Sequence, residues 1–361
     1  MSGKSGNGKG NSKNPQSSEF EYPFDEKEVI SLVCKYFCKG HKVADIQKVL
    51  KQNHGVIVSR ERPYKLLAKA TKRGLLKYEA PLDIELAHQL RDKHGWLDGV
   101  EVVHSVVFDH LAYQAAREII RLLRWYKQGH KKRNEVHIGF AGGPSMRILA
   151  HHLADLMCRP ENGLPDTIFL HALVSGFNPR DPTTDPNAFF TYFIRRPGLP
   201  VDVQFMGLRA PAVVRAKDYE NMKNMVSIKE AYEARHEIDI YITSGAQWED
   251  DHSLFKSYMT RSPAAIKKLE AAECVGDILW RPLGPRRPIE INTDIRTMTL
   301  VELGELPAII GRECQVMLVL GSCGRCDHPK GKLLHAVLNQ EEQLITHLVA
   351  DSRTIMQALG T

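Results

Sequence analysis

EVHIGFAGGPSMRILAHHLADLM, residues 135–157, changes its character in the middle. Glu135 to Phe140 is short and apolar enough for a buried strand, and Ser145 to Met157 carries apolar residues at helical spacing. Between them stands Gly139-Phe-Ala-Gly142-Gly143-Pro-Ser145, a glycine turn from strand to helix. Backbone N–H groups, the helix N-terminus and the Ser145 hydroxyl can converge there on an anion. By itself the turn is a weak signal, because tight strand-to-helix turns favour glycine and no complete P-loop or dinucleotide fingerprint is present.

The same alternation continues on both sides. Strands are expected at Gly99–Val107, Thr167–Val174, Ile238–Thr243, Cys314–Leu320 and Gln343–Val349. Helices are expected at Asp109–Tyr126, Ser227–Arg235, Ala264–Glu273 and Gly331–Leu338. Such alternation predicts an α/β domain with a mainly parallel sheet and helices on both faces, with ligands at the carboxyl ends of the strands. A second glycine loop, Gly321-Ser322-Cys323-Gly324-Arg325, falls at such an end, and Lys330 follows it in a position to neutralise the same anion.

The N-terminal part is different. Residues 1–20 are Gly, Ser, Asn and Lys with little to bury, so a disordered tail is expected. Between Ser31 and Tyr78 there are twelve Lys or Arg against two acids, a local charge of +10 in a chain whose total is +6. Three short helices are expected there: Asp25–Cys38, Val43–Gln52, and one from an Ser59 N-cap to Gly74. Leu75–Ala80 reads as a short strand or wing. This is the layout of a winged helix-turn-helix, in which Ser59, Arg60, Arg62, Tyr64 and Lys65 open the recognition helix and Lys69 approaches phosphate. A solvated lysine-rich face, or a three-helix oligomerisation module, is the plainer alternative. Pro81–His94 is amphipathic and looks like a connecting helix.

Composition agrees with a soluble multidomain chain: 361 residues, 43% hydrophobic and 25% charged. No apolar stretch approaches the roughly 18 residues of a spanning helix, and no secretory signal opens the chain. Seven scattered cysteines are too few for a disulfide scaffold, so reduced thiols in a cytoplasm are expected.

Six segments in order carry a family resemblance: residues 58–78 (VSRERPYKLLAKATKRGLLKY), 138–154 (IGFAGGPSMRILAHHLA), 207–214 (GLRAPAVV), 238–247 (IDIYITSGAQ), 273–284 (ECVGDILWRPLG) and 316–351. Together they resemble the SorC/DeoR-type sugar-binding transcriptional regulators of bacteria over about residues 25–357. The resemblance implies an effector domain similar to sugar-phosphate isomerases and deaminases, whose phosphorylated sugar ligand alters binding to operator DNA. It places the phosphate loop at Gly142, Gly143 and Ser145, where threonine is commoner than serine. It places a glycine turn at Gly245, a hydroxyl acceptor at Asp277 and a basic residue of the late loop at Lys330, and the second glycine loop adds Gly321 to the expected effector site. The chain departs from the family in the insertion CGRCDHP and in the proline-rich segment 178–187. The expected organisation is a tail at 1–24, a winged helix-turn-helix at 25–80, a linker helix at 81–97 and an effector domain at 98–361. A homodimer or tetramer, with no membrane partner and no cofactor, completes the expectation.

Other clusters compete for attention. CGRCDH offers Cys323, Cys326, Asp327 and His328 at CxxC spacing, for a metal or a redox thiol pair, but no second ligand pair stands near it in sequence, so a loop whose cysteines merely pack is expected. His104, Asp109 and His110 read as surface or hydrogen-bonded groups, and Asp250, Asp251 and His252 as a loop and N-cap cluster. An isomerase or deaminase with Asp277 as base is the rival function, although no acid-His-Glu constellation supports it. A pure interaction scaffold would leave the two glycine loops unexplained.

Overall fold

The computed structural model describes residues 24–360 except 77, 130–133, 160–162, 177–180, 195 and 291. Residues 1–23 of the expected tail, Lys77 and the first part of the proline-rich segment lie outside the described residues; Phe24, expected to end the tail, packs instead on the core of the first unit. The chain divides into two compact units, residues 1–79 and 80–361.

The first unit holds three helices, α1 (Glu26–Cys38), α2 (Val43–His54) and α3 (Arg62–Lys72). Asp25 and Glu28 cap α1 reciprocally, each side chain accepting from the other's backbone N–H. Gly55 ends α2 at φ +69°, a left-handed position that glycine takes without steric cost. Val29, Ile30, Val33, Ile46, Leu50, Val56, Leu66 and Ala70 make the core. Two expectations fail here. Ser59 is not the N-cap of α3: the helix starts at Arg62, with Glu61 at the cap and Pro63 in the first turn. Proline lacks an N–H and is tolerated only in a first turn, so Pro63 and not a hydroxyl fixes where this helix can begin. Nor is there a strand among the described residues of 75–80. Leu75 and Tyr78 are exposed, and a wing strand in this unit would need a second strand to complete its backbone hydrogen bonds.

The second unit is built on a seven-stranded sheet, β1 (Gly99–Val103), β2 (Glu135–Phe140), β3 (Thr167–Ala172), β4 (Asp202–Met206), β6 (Ile240–Thr243), β11 (Gln315–Leu320) and β12 (His347–Asp351). Its spatial order is β1-β12-β11-β6-β2-β3-β4, and every pairing is parallel. All residues of β6, β11 and β12 are buried, as a sheet covered on both faces requires, and edge strand β4 is half-exposed. Two short antiparallel sheets accompany it: β5 (Val213–Arg215) with β10 (Ile295–Thr297), and β7 (Gly245–Gln247), β8 (Gly276–Ile278) and β9 (Arg281–Leu283). The helices are α4 (Ile84–Lys93), α5 (Phe108–Gln128), α6 (Pro144–Met157), α7 (Pro186–Phe189), α8 (Tyr219–Lys223), α9 (Val226–Ala234), α10 (Leu254–Met259), α11 (Pro263–Ala271), α12 (Leu306–Ile310), α13 (Gly331–Leu338) and α14 (Ser352–Leu359).

The alternation was legible, while the ends of elements moved to where partners exist. The last strand starts at His347 and not Gln343, because its ladder is set by Gly99–Val103 on one side and Met317–Leu320 on the other. The linker helix α4 buries Ala87 and Leu90 in the core of the second unit. No described helix is long and apolar enough to cross a membrane.

Candidate functional site

Strand order reverses between β2 and β6: from β2 the chain proceeds through β3 to β4, and from β6 it proceeds the other way through β11 to β12. Loops leaving the two strands at such a point diverge and open a crevice at their carboxyl ends. The turn after β2 carries Gly142, Gly143 and Ser145, and the turn after β6 carries Gly245.

The first turn is only partly free. Ala141 donates its N–H to Ile242 O (2.9 Å) and Gly143 donates to Thr184 O (2.8 Å). Gly143 sits at φ +114° as the N-cap of α6, and Ser145 lies in the first turn of that helix. Gly142 faces the Trp280 indole so closely that a Cβ there would lie 3.0 Å from Cζ2, and one on Gly176 would lie 1.8 Å from Cη2. Trp280 is buried and meets the Tyr258 ring edge-on. It stands in the β8–β9 hairpin, where Leu279 and Trp280 both have φ +55°. Two-residue hairpin turns with two positive φ values ordinarily take Asn-Gly, so nothing in the letters LW announces this turn.

Opposite, Gly245 begins β7 and pairs with Ile278, which puts Ala246 beside Asp277. A Cβ at 245 would lie 2.5 Å from the Asp277 carbonyl oxygen, so backbone proximity demands glycine there. Lys330, at the N-cap of α13, reaches across to donate from Nζ to Gly245 O (2.8 Å). Asp277 Oδ1 accepts from Ser253 Oγ (3.2 Å). Burial pushes the Asp277 carboxyl up to about 7 against the pull of Ser253 and Lys330. Burial likewise holds the Lys330 ammonium below the ordinary lysine range, opposed by Asp250, Cys323, Asp277 and Asp351. Structure therefore brings Gly245, Asp277 and Lys330 together. Gly321 lies at the end of β11, where a Cβ would lie 3.3 Å from Asp351 Oδ2.

Sequence reasoning missed Asp351. It caps α14 by accepting from Thr354 N (2.7 Å) and also accepts from the backbone N–H of Ser322, tying the late loop to the last strand. The pattern Asp-Ser-x-Thr at a helix start is the local signal for it. Buried Ser322 Oγ, Arg147 Nε and Tyr258 Oη have no hydrogen-bond partner among the described residues. Buried polar atoms are normally satisfied, so these three are places for water or a polar ligand. A separate cleft of about 470 Å³ is lined by Phe255, Arg281, Thr297 and Glu302, and by none of the expected effector-site residues.

In the helical unit, α3 divides its cations. Arg62 is held by Glu26 Oε1 (3.1 Å) and Lys69 pairs with the other oxygen of the same carboxylate. The Lys69 hydrogen bond and the two cations hold the Glu26 carboxyl below the usual range. Ser59, Arg60, Tyr64 and Lys65 are exposed, Lys65 with only a long contact to Glu61 (3.9 Å). His110 bonds Ser105 and Asp109 bonds His152, as plain structural groups. Ser253, not the Asp250–His252 cluster, caps α10 through Lys256 N (3.1 Å).

No family model matches the chain, and no curated protein matches it. Solved structures do. A full-length sorbitol operon regulator, SorC, from Klebsiella pneumoniae is 17% identical with a TM-score of 0.61, over 93% of this chain and 99% of that one. A DeoR family transcriptional regulator from Listeria monocytogenes is 20% identical with a TM-score of 0.55, over 76% and 98%. The fold is that of the SorC and DeoR regulators. A probable sor operon regulator from Shigella flexneri shares this SorC-type fold at 16% identity and TM-score 0.56, over 77% of this chain and 99% of that one.

Proposed function

We propose that this protein is a DNA-binding transcriptional regulator of a carbohydrate-use operon, controlled by a phosphorylated sugar bound in its α/β unit. The observation that supports it best is the pairing of Gly245, Asp277 and Lys330 opposite the Gly142–Ser145 turn at the strand-order reversal, in a chain whose other unit is a strongly basic helical module. The turn and the start of α6 offer N–H groups for phosphate, Lys330 a cation, and Asp277 an acceptor for sugar hydroxyls. This unit would then work as a sugar-phosphate isomerase-like fold that binds without turnover.

The helical unit would act as a helix-turn-helix. Arg60, Tyr64 and Lys65 would meet base edges and nearby phosphates, and Arg62 and Lys69 would join them only on leaving Glu26. A homodimer or tetramer in the cytoplasm would match a palindromic operator, and the sugar phosphate would shift the protein between states of different DNA affinity.

Thermal unfolding of the full chain against phosphorylated and free sugars tests the effector half. One sugar phosphate should stabilise the protein, and its free sugar should not. Lys330→Ala or Ser145→Ala should reduce that shift, and wild-type calorimetry for both would move the site elsewhere. Arg60→Ala with Lys65→Ala should weaken DNA binding and lower the salt slope by about 2, with effector affinity unchanged. Turnover of any sugar phosphate by the purified protein would instead favour the isomerase or deaminase reading.

A further inference from the structure

The late loop and the turn after β7 place four ligand atoms of three kinds together. Asp250, His252, Cys323 and Cys326 each offer one donor, and all four donors lie within 4.8 Å of one another. Cys323 Sγ is 3.5 Å from His252 Nδ1 and 3.7 Å from Asp250 Oδ1, and Asp250 Oδ1 is 3.2 Å from His252 Nδ1. Zinc bonds of about 2.3 Å to sulfur and about 2.0 Å to nitrogen and oxygen define a tetrahedron whose S···N and S···O edges are about 3.5 Å and whose N···O edge is about 3.3 Å. Three of the six edges are thus already close to a zinc tetrahedron.

We propose that Asp250, His252, Cys323 and Cys326 form a binding site for one tetrahedral divalent cation of the zinc class, which fastens the turn before Ser253 to the loop before Lys330. The donor set favours this class: two thiolates select against magnesium and calcium, and imidazole with carboxylate completes four ligands. The CxxC spacing supplies two of them, and the other two come from a segment some seventy residues earlier that no sequence spacing rule connects to it. Asp327 and His328, the nearer ligands in sequence, are exposed and outside the cluster. On binding, each cysteine loses its thiol proton to solvent and His252 binds through Nδ1 as neutral imidazole. The filled site carries one net negative charge and faces the Lys330 ammonium, which already has Asp250 and Cys323 beside it.

The test uses the full chain, purified under reducing conditions, stripped with chelator and titrated with Zn²⁺ or Co²⁺ alone. One equivalent should remain after gel filtration. The cobalt form should show a thiolate-to-metal charge-transfer band with the intense visible bands of a tetrahedral ion. Cys326→Ser should abolish the charge-transfer intensity of one thiolate. His252→Ala, at a half-exposed side chain whose loss leaves the core intact, should weaken binding by at least ~100-fold, since loss of an outer-shell partner alone costs 10–100-fold. Cys158→Ser, remote from the cluster, should change neither. A weak six-coordinate cobalt spectrum, or full affinity in His252→Ala, would overturn the site. So would a Cys323–Cys326 disulfide in the anaerobically purified, metal-free protein. Neither DNA nor sugar enters the measurement, so its outcome is separate from that of the regulator assays.

Discussion

Replacing Asp277 by asparagine preserves the side-chain shape and an acceptor for the Ser253 hydroxyl at 3.2 Å, and removes the titrating group. In the folded chain burial raises the carboxyl from 3.8 to about 7, with the attraction of Lys330 already included. Below pH 4 the carboxyl is protonated in both folded and unfolded chains and costs nothing. As pH rises from about 4 to 7 the unfolded chain releases the proton while the folded chain keeps it, so stability falls across that window and levels off above it. About 3 units at 1.36 kcal/mol each make the loss roughly 4 kcal/mol. The asparagine variant escapes it. Its stability relative to wild type should therefore rise by about 4 kcal/mol between pH 4 and pH 8, or by ~8 °C in Tm at roughly 2 °C per kcal/mol for a unit of this size. Calorimetric unfolding of both proteins across that range, in reductant and chelator, reads the difference directly. A wild-type-to-variant gap that does not change with pH would refute the buried, proton-holding Asp277. Effector binding, if Asp277 accepts from sugar hydroxyls, should be lost in the more stable protein, the usual exchange at a functional site.

Glu26→Gln should release Arg62 and Lys69 and raise affinity for random-sequence DNA, steepening the salt dependence by one to two units, at a stability cost below about 1 kcal/mol; fluorescence anisotropy at several salt concentrations checks it, and an unchanged slope would place both cations away from DNA. Gly245→Ala should destabilise the second unit by about 1–3 kcal/mol in denaturant titration, because the atom 2.5 Å from its Cβ is a backbone oxygen that cannot turn aside. Trp280→Ala and Trp280→Gly should both cost about 3–5 kcal/mol through the lost ring contacts, with glycine the more stable of the two by about 1 kcal/mol. Equal stability of those two variants would argue against the left-handed backbone at Trp280.

Much was determined by sequence alone. Alternation of strand and helix from Gly99 onward, and glycines at the ends of β2 and β11, announced a parallel sheet with loops at its carboxyl edge, because apolar periodicity and turn chemistry are local properties; the edge strand β4 and the short strands β5 and β7–β10 were not announced. The basic, three-helix character of the first unit was equally local. Tertiary structure decided the rest. Whether Arg62 and Lys69 face outward depends on Glu26, more than thirty residues earlier and on a different helix. Whether CxxC has further ligands depends on the loop after β7, which the sheet order carries to it. The wing expected at 75–80 has no strand among its described residues, since a strand exists only with a partner. Asp277 acquires its raised affinity for a proton from what the fold packs around it. Periodicity is written in neighbouring residues, but charge pairing, ligand sets and burial belong to residues that only the folded chain makes neighbours.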